Sequence, residues 1–270
     1  MKRRPAPGSR PPSKRTKSPR QAGVDGPETP AISTPALSGV TFSSRDKAPQ
    51  LKLSDDALTV VGEKGYRMAR VSHGVKSGCW YCELRVTRSE PKGHWRVGFV
   101  TAKADLQAPV GFDEHGFGYR DIGGEKLHKS KRCAYGAPFG HGDILGLMIK
   151  LLPPSSITAA PAPAAGPAHG EAGAEGAASA PAVEEEGSWV RFFKNGVDMG
   201  PAFQVDPAQG PFFVAASLYM GSSATLIPGP DFNFRPDPRF EARPLSDLAP
   251  PPLSSSVAAA AEGGADKVEE

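Results

Sequence analysis

The chain has 270 residues, an apolar fraction of 39% and a net charge of +3, enough for one substantial core. Its 31 Gly and 29 Pro are unevenly spread, which points to a globular middle with disordered attachments. Residues 1–20 hold eight Lys/Arg and no acid, leaving 24 basic against 29 acidic side chains elsewhere, so the basic character belongs to a tail and not to a fold. No apolar run approaches the roughly 18 residues of a membrane span, and the N-terminus lacks an apolar signal core. Three cysteines, a small and odd number, argue for a reducing compartment.

The first segment, MKRRPAPGSRPPSKRTKSPR, is broken by proline and forms no useful helix. Lys2, Arg3 and Arg4 make one basic cluster, and Lys14, Arg15 and Lys17 a second across a polar spacer. This pattern reads as a bipartite nuclear import signal, with weak phosphate contact as a second use; the plain alternative is a solvated tail with no partner. Residues 1–47 are assigned to this disordered tail and its linker.

Order is expected from residue 48. Leu51–Leu53 and Leu58–Val61 are short strand patterns joined by the turn residues Ser54, Asp55 and Asp56. Gly78 to Val86 is a strand with Trp80, Cys82, Leu84 and Val86 on one face. His94 onward alternates Trp95, Val97 and Phe99 with Arg96 and Gly98, then enters a loop carrying Pro109, Gly111, Phe112, Phe117, Tyr119 and Arg120. Such a strand buries its rings and aims Arg96 the other way, so Arg96, Arg120 and nearby aromatics can form a docking face.

Asp143 to Leu152 is a further strand. Residues 153–187 then bring Ala, Pro, Gly and five glutamates with no Lys or Arg, a segment that fits a compact domain only as a disordered insertion. Strands resume at Trp189, with Asn195-Gly196 as a two-residue hairpin signal and return strand Val197–Phe203. Phe212–Tyr219 and Ala224–Ile227 follow, leading into the Phe232/Phe234 segment. Many short strands with Gly/Pro turns predict an all-β fold, a two-sheet β-sandwich over 48–248. Residues 249–270 carry alanines without an amphipathic stripe and are expected to be disordered.

Catalytic patterns are missing from the sequence. Cys79-x-x-Cys82 lies in a strand-like run whose odd spacing sends the sulfurs to opposite faces, and no second pair completes a zinc site. The six histidines show no ligand spacing, and no nucleophile elbow, P-loop or dinucleotide fingerprint occurs. Asp113-Glu114-His115 reads as a solvated turn. No catalytic residue, cofactor or metal is expected.

From about Ala48 to Leu248 the motifs resemble a SPRY (B30.2-like, concanavalin-like) domain, specifically that of the Ash2 subunit of Set1/MLL-type (COMPASS) histone methyltransferases. The segments that carry the resemblance are LKLSDD with GEKGY, LQAPVGFD, YGAPFGHGD, FFKNGVDMGPAF and RPLSDL. The resemblance implies a non-catalytic nuclear subunit. Its SPRY domain would bind an acidic segment of the WD-repeat β-propeller subunit and so steady the SET-domain catalytic subunit for methylation of histone H3 lysine 4. The family's docking residues carry over as Tyr66, Arg96, Pro109 and Arg120. A position usually held by tyrosine is Phe112, a loss of at most one hydrogen bond, on the order of 1 kcal/mol.

Two family features do not carry over. The zinc-finger and winged-helix region has only the basic tail in its place, so nucleic acid is contacted weakly at most. The tail after Leu248 also lacks the apolar stripe with which relatives hold a small dimeric subunit. The alternative function is a SPRY peptide adaptor, such as a ubiquitin-ligase substrate receptor. It calls for a RING, B-box or SOCS-box segment that the sequence does not contain.

Overall fold

A computed structural model describes residues 39–153 and 186–249. The basic clusters Lys2-Arg3-Arg4 and Lys14-Arg15 with Lys17, nearly all of the acidic insertion and the alanine-rich end lie outside the described residues. The strands are β1 (Phe42–Lys47), β2 (Lys52–Leu53), β3 (Thr59–Gly62), β4 (Arg67–Val71), β5 (Gly78–Arg88), β6 (His94–Thr101), β7 (Gly116–Arg120) and β8 (Lys126–His128). They continue with β9 (Lys131–Cys133), β10 (Ile144–Leu151), β11 (Trp189–Lys194), β12 (Val197–Gln204), β13 (Phe212–Tyr219), β14 (Ser222–Ile227) and β15 (Arg243–Pro244). A first sheet runs β1-β4-β13-β6-β7-β8-β9 and a second β12-β11-β10-β5-β14-β3-β2, with β15 added beside β5. The fold is the all-β sandwich read from the sequence.

Period-two patterning builds the core between the sheets. Trp95, Val97 and Phe99 of β6 and Val214, Ala216 and Leu218 of β13 point inward from the first sheet. They meet Trp80, Cys82, Leu84 and Val86 of β5 and Leu145, Leu147, Ile149 and Leu151 of β10. The Trp95 indole N–H donates to the Ser223 carbonyl at 2.9 Å, tying β6 to the facing sheet. At the β11–β12 turn Asn195 and Gly196 have φ of 48° and 81°, the two positive values of a type I′ turn.

The ordered body starts earlier than the expected residue 48. Val40 and Phe42 are buried, and β1 pairs with β4 at the sheet edge. The polar run Ser43–Lys47 conceals this strand, because an edge strand buries little beyond its first ring. Phe117, Tyr119 and Arg120, read as loop, belong to β7; glycines at 116 and 118 weaken the strand signal.

Each sheet also has a covered outer face. Over the second sheet, residues 228–242 pack Phe232 and Phe240 against Tyr81, Met148, Trp189 and Phe193. Beneath this cover Glu83, fully buried, accepts hydrogen bonds from the Asn233 backbone N–H at 2.8 Å, its side-chain amide at 2.9 Å and the Phe234 N–H at 2.7 Å. Over the first sheet, register sets Ala215, Gly98 and Gly118 abreast, a strip low enough for the 104–111 loop to lie on. A Cβ at Gly118 would come within 2.9 Å of the Val110 carbonyl oxygen.

Val110 packs there with Met68, Val100, Ala104 and Ala215, and its N–H donates to Ser217 Oγ at 2.9 Å. Pro109 to Phe112 closes a type II turn, with the Phe112 N–H bonded to the Pro109 carbonyl at 3.0 Å and Gly111 at φ 80°.

Two stability outcomes follow from these anchors. Glu83→Ala removes the acceptor shared by two backbone N–H groups and a side-chain amide of the cover, and is expected to lower unfolding free energy by about 2 kcal/mol in urea titrations. Ser217→Ala orphans the Val110 N–H and should cost about 1–2 kcal/mol, with faster amide exchange at Val110.

Candidate functional site

Strand register assembles the face. Ser217 pairs with Met68 of β4 and Arg96 of β6, and Arg96 pairs with Arg120 of β7. Met68, Ser217, Arg96 and Arg120 therefore form one row across four strands on the outer side of the first sheet. Two residues along, Tyr219 pairs with His94 in the next row on the same side. Tyr66 precedes β4 and lies against both rows: the Arg96 guanidinium carbon is 5.0 Å from its ring centroid, and the Tyr219 ring centroid is 5.1 Å away. His94 stacks on Tyr219 at 6.1 Å, and its Nδ1 lies 2.7 Å from Asp121 Oδ2. A wall of Tyr66, Tyr219 and His94 thus flanks the arginine pair and ends on the buried Asp121.

The two arginines differ electrostatically. Arg120 Nη1 is 2.9 Å from Glu125 Oε2, so the arginine expected to await an outside carboxylate already has one inside the chain. Arg96 forms no ion pair among the described residues, while the Nε atoms of both arginines are buried without a hydrogen-bond partner. Burial is the main cause that lowers the Arg96 pKa, with Arg120 and Arg132 adding like charge and Tyr66 opposing them. Guanidinium stays protonated throughout the physiological range, so the outcome is a half-buried cation lacking a counter-ion. Burial first, then the Asp121 carboxylate, push the Tyr66 hydroxyl above its ordinary range against the pull of Arg96 and Arg120.

The structure gathers Tyr66, Arg96 and Arg120 into one patch. Pro109 enters through its turn, which hangs from Ser217 beside Arg96. Phe112, at the end of that turn, is 54% exposed, and its carbonyl accepts from Ser130 Oγ at 2.8 Å. Tyr219, His94, Asp121 and Glu125 complete the surroundings and were not singled out from sequence. The inward set Phe212, Val214, Ala216 and Leu218 implies an outward Tyr219, but only register tells which residues it meets.

This arrangement suits capture of a carboxylate by a bidentate guanidinium beside aromatic rings. Cys79 and Cys82 occupy opposite sides of β5, one beneath the outer cover and the other in the inter-sheet core. Burial pushes the Cys79 thiol up to about 11 and Cys82 further still. Among the described residues no group of three ligating side chains could hold a metal ion.

Residues 79–152 match the SPRY domain model. The chain is 32% identical over 217 residues to the Set1/Ash2 histone methyltransferase complex subunit ASH2 of Drosophila melanogaster, covering 72% of this chain and 36% of that protein. Against the Set1/Ash2 histone methyltransferase complex subunit ash-2 of Caenorhabditis elegans it is 33% identical over 217 residues, 73% of this chain and 37% of that protein. The Set1 complex component ash2 of Schizosaccharomyces pombe is 29% identical over 241 residues, covering 72% and 37%. The chain spans little more than a third of the length of these relatives. Motif order, two-sheet architecture and relatives agree: the described body is a SPRY domain of the Ash2 family.

Proposed function

We propose that this chain is a non-catalytic docking subunit of a Set1/COMPASS-type histone H3 lysine 4 methyltransferase complex in the nucleus. On this reading an acidic ribbon of the WD-repeat subunit lies along Arg96, Arg120 and the Tyr66 wall, and the joined pair steadies the SET-domain subunit. The relatives are named as subunits of such complexes, which supports membership. The observation that carries the docking reading is Arg96: half-buried, held under Tyr66, set opposite a second arginine and left without an acid of its own.

A carboxylate from the ribbon would relieve that arrangement by pairing with Arg96 directly, while Arg120 would share or exchange Glu125 for a ligand oxygen. Pro109 and the exposed Phe112 ring would supply the apolar edge of the groove. No cofactor is required for this role, since the chain contributes shape and charge and leaves the methyl transfer to its partner.

The test separates docking from folding. Like charges placed opposite one another across a ladder destabilise a sheet. Arg96→Leu is therefore expected to leave unfolding free energy unchanged or raised while weakening an acidic WD-repeat-subunit peptide by about 2 kcal/mol or more in calorimetry. Arg120→Ala should weaken it less, and Glu125→Gln should tighten it by about 0.5 kcal/mol, because the arginine is released from an internal partner. Unchanged affinity in both arginine variants would remove the proposed site.

A further inference from the structure

A second constellation lies at the other end of β6, five residues along the strand from Arg96. Here four stretches distant in sequence converge around a cavity of about 300 Å³. Lys103 comes from the turn after β6, Glu114 and His115 from the approach to β7, His128 and Lys129 from the β8–β9 turn, and Gln209 from the turn before β13. The Thr101 N–H donates to the His115 carbonyl at 2.8 Å, and the Lys129 N–H to the Asp113 carbonyl at 3.1 Å, locking three of these stretches together.

The cavity wall is preorganised. The His128 ring lies flat on Phe117, 4.4 Å between centroids and 4° between planes. Its Nδ1 is 2.9 Å from the Gly116 carbonyl, so Nδ1 carries the proton that is donated there. The acids nearby are partly spent. Asp113 accepts from the His115 and Asp105 N–H groups at 2.9 and 3.3 Å. Glu114 alone faces the cations, 3.7 Å from Lys129 Nζ and 3.9 Å from His115 Nε2.

We propose that this cavity is an anion site for a phosphate-type group, separate from the docking face. Two ammonium groups and a side-chain amide supply donors from several directions, with the His115 and His128 rings walling the space between them, a pattern that suits a compact multi-oxygen anion. The volume sits at the small end of the range of about 300–1,000 Å³ for ligand pockets, fitting a single group and not a nucleotide. Glu114 acts as the internal stand-in that an incoming anion displaces from Lys129. This inference goes beyond the methyltransferase reading and does not depend on it.

Titration of the full chain with inorganic phosphate at constant ionic strength, followed by the histidine ring signals in NMR, tests the site. His115 and His128 should move together on one saturating curve while the other four of the six histidines stay still. Lys103→Gln and Lys129→Gln should each weaken phosphate by about fivefold, and Glu114→Gln should tighten it by a similar factor. Arg96→Leu should leave it unchanged, which separates this outcome from the fate of the docking face. Tighter binding of a blocked phosphoserine than of the free ion would assign the group to a protein side chain, and equal binding to the ion itself. Linear shifts spread over all the histidines, an unchanged curve for Lys129→Gln, or a response to zinc ions in place of phosphate would overturn the proposal.

Discussion

Two guanidinium groups facing each other across the β6–β7 ladder are the constraint on which this surface depends. Neither can turn away, because each is the outward member of a strand whose inward neighbours are Trp95, Val97, Phe117 and Tyr119. The inter-sheet core thus fixes the separation of two positive charges that would otherwise splay. The chain resolves the repulsion only halfway, supplying Glu125 to Arg120 and a tyrosine face, but no acid, to Arg96. A fold built for stability alone would have neutralised both; on the docking reading, the uncompensated half is where an outside carboxylate would bind.

The rest of the architecture keeps that surface open and rigid. Small residues at 98, 118 and 215 let a loop settle onto the sheet immediately beside the arginines, and Ser217 fastens it. The loop shields the apolar part of the outer face, while Arg96 and Arg120 stay partly exposed. On the opposite sheet, the 228–242 cover and its grip on Glu83 close the other outer face, so the two faces of the sandwich serve different ends.

Much of this was legible before any coordinates. Alternation at Trp95–Phe99 and Trp80–Val86 fixed the core faces and the outward aim of Arg96, and Asn195-Gly196 located a hairpin. What the sequence could not disclose was pairing. That Arg96 stands opposite Arg120, and that Tyr219 reaches Tyr66 from a strand about 150 residues further along, are matters of register between distant segments. Glu125 was invisible for another reason: its role arises from a tight turn between β7 and β8 that carries no apolar pattern. β1 was missed because its residues are chosen for an edge, where polarity protects against unwanted pairing.

One further property lies in how β10 and β11 end. Lys150 pairs with Trp189, and just beyond them the Leu152 N–H donates to Ser188 Oγ at 2.9 Å while the Ser188 carbonyl accepts from Val205 at 3.0 Å. The two strands are therefore clasped at the point where residues 154–185 depart and return. Closing a longer or shorter excursion costs only a slowly growing entropy, about 0.6 kcal/mol for each doubling. The clasp thus joins the two strand ends directly, so their pairing does not depend on the length of chain between them.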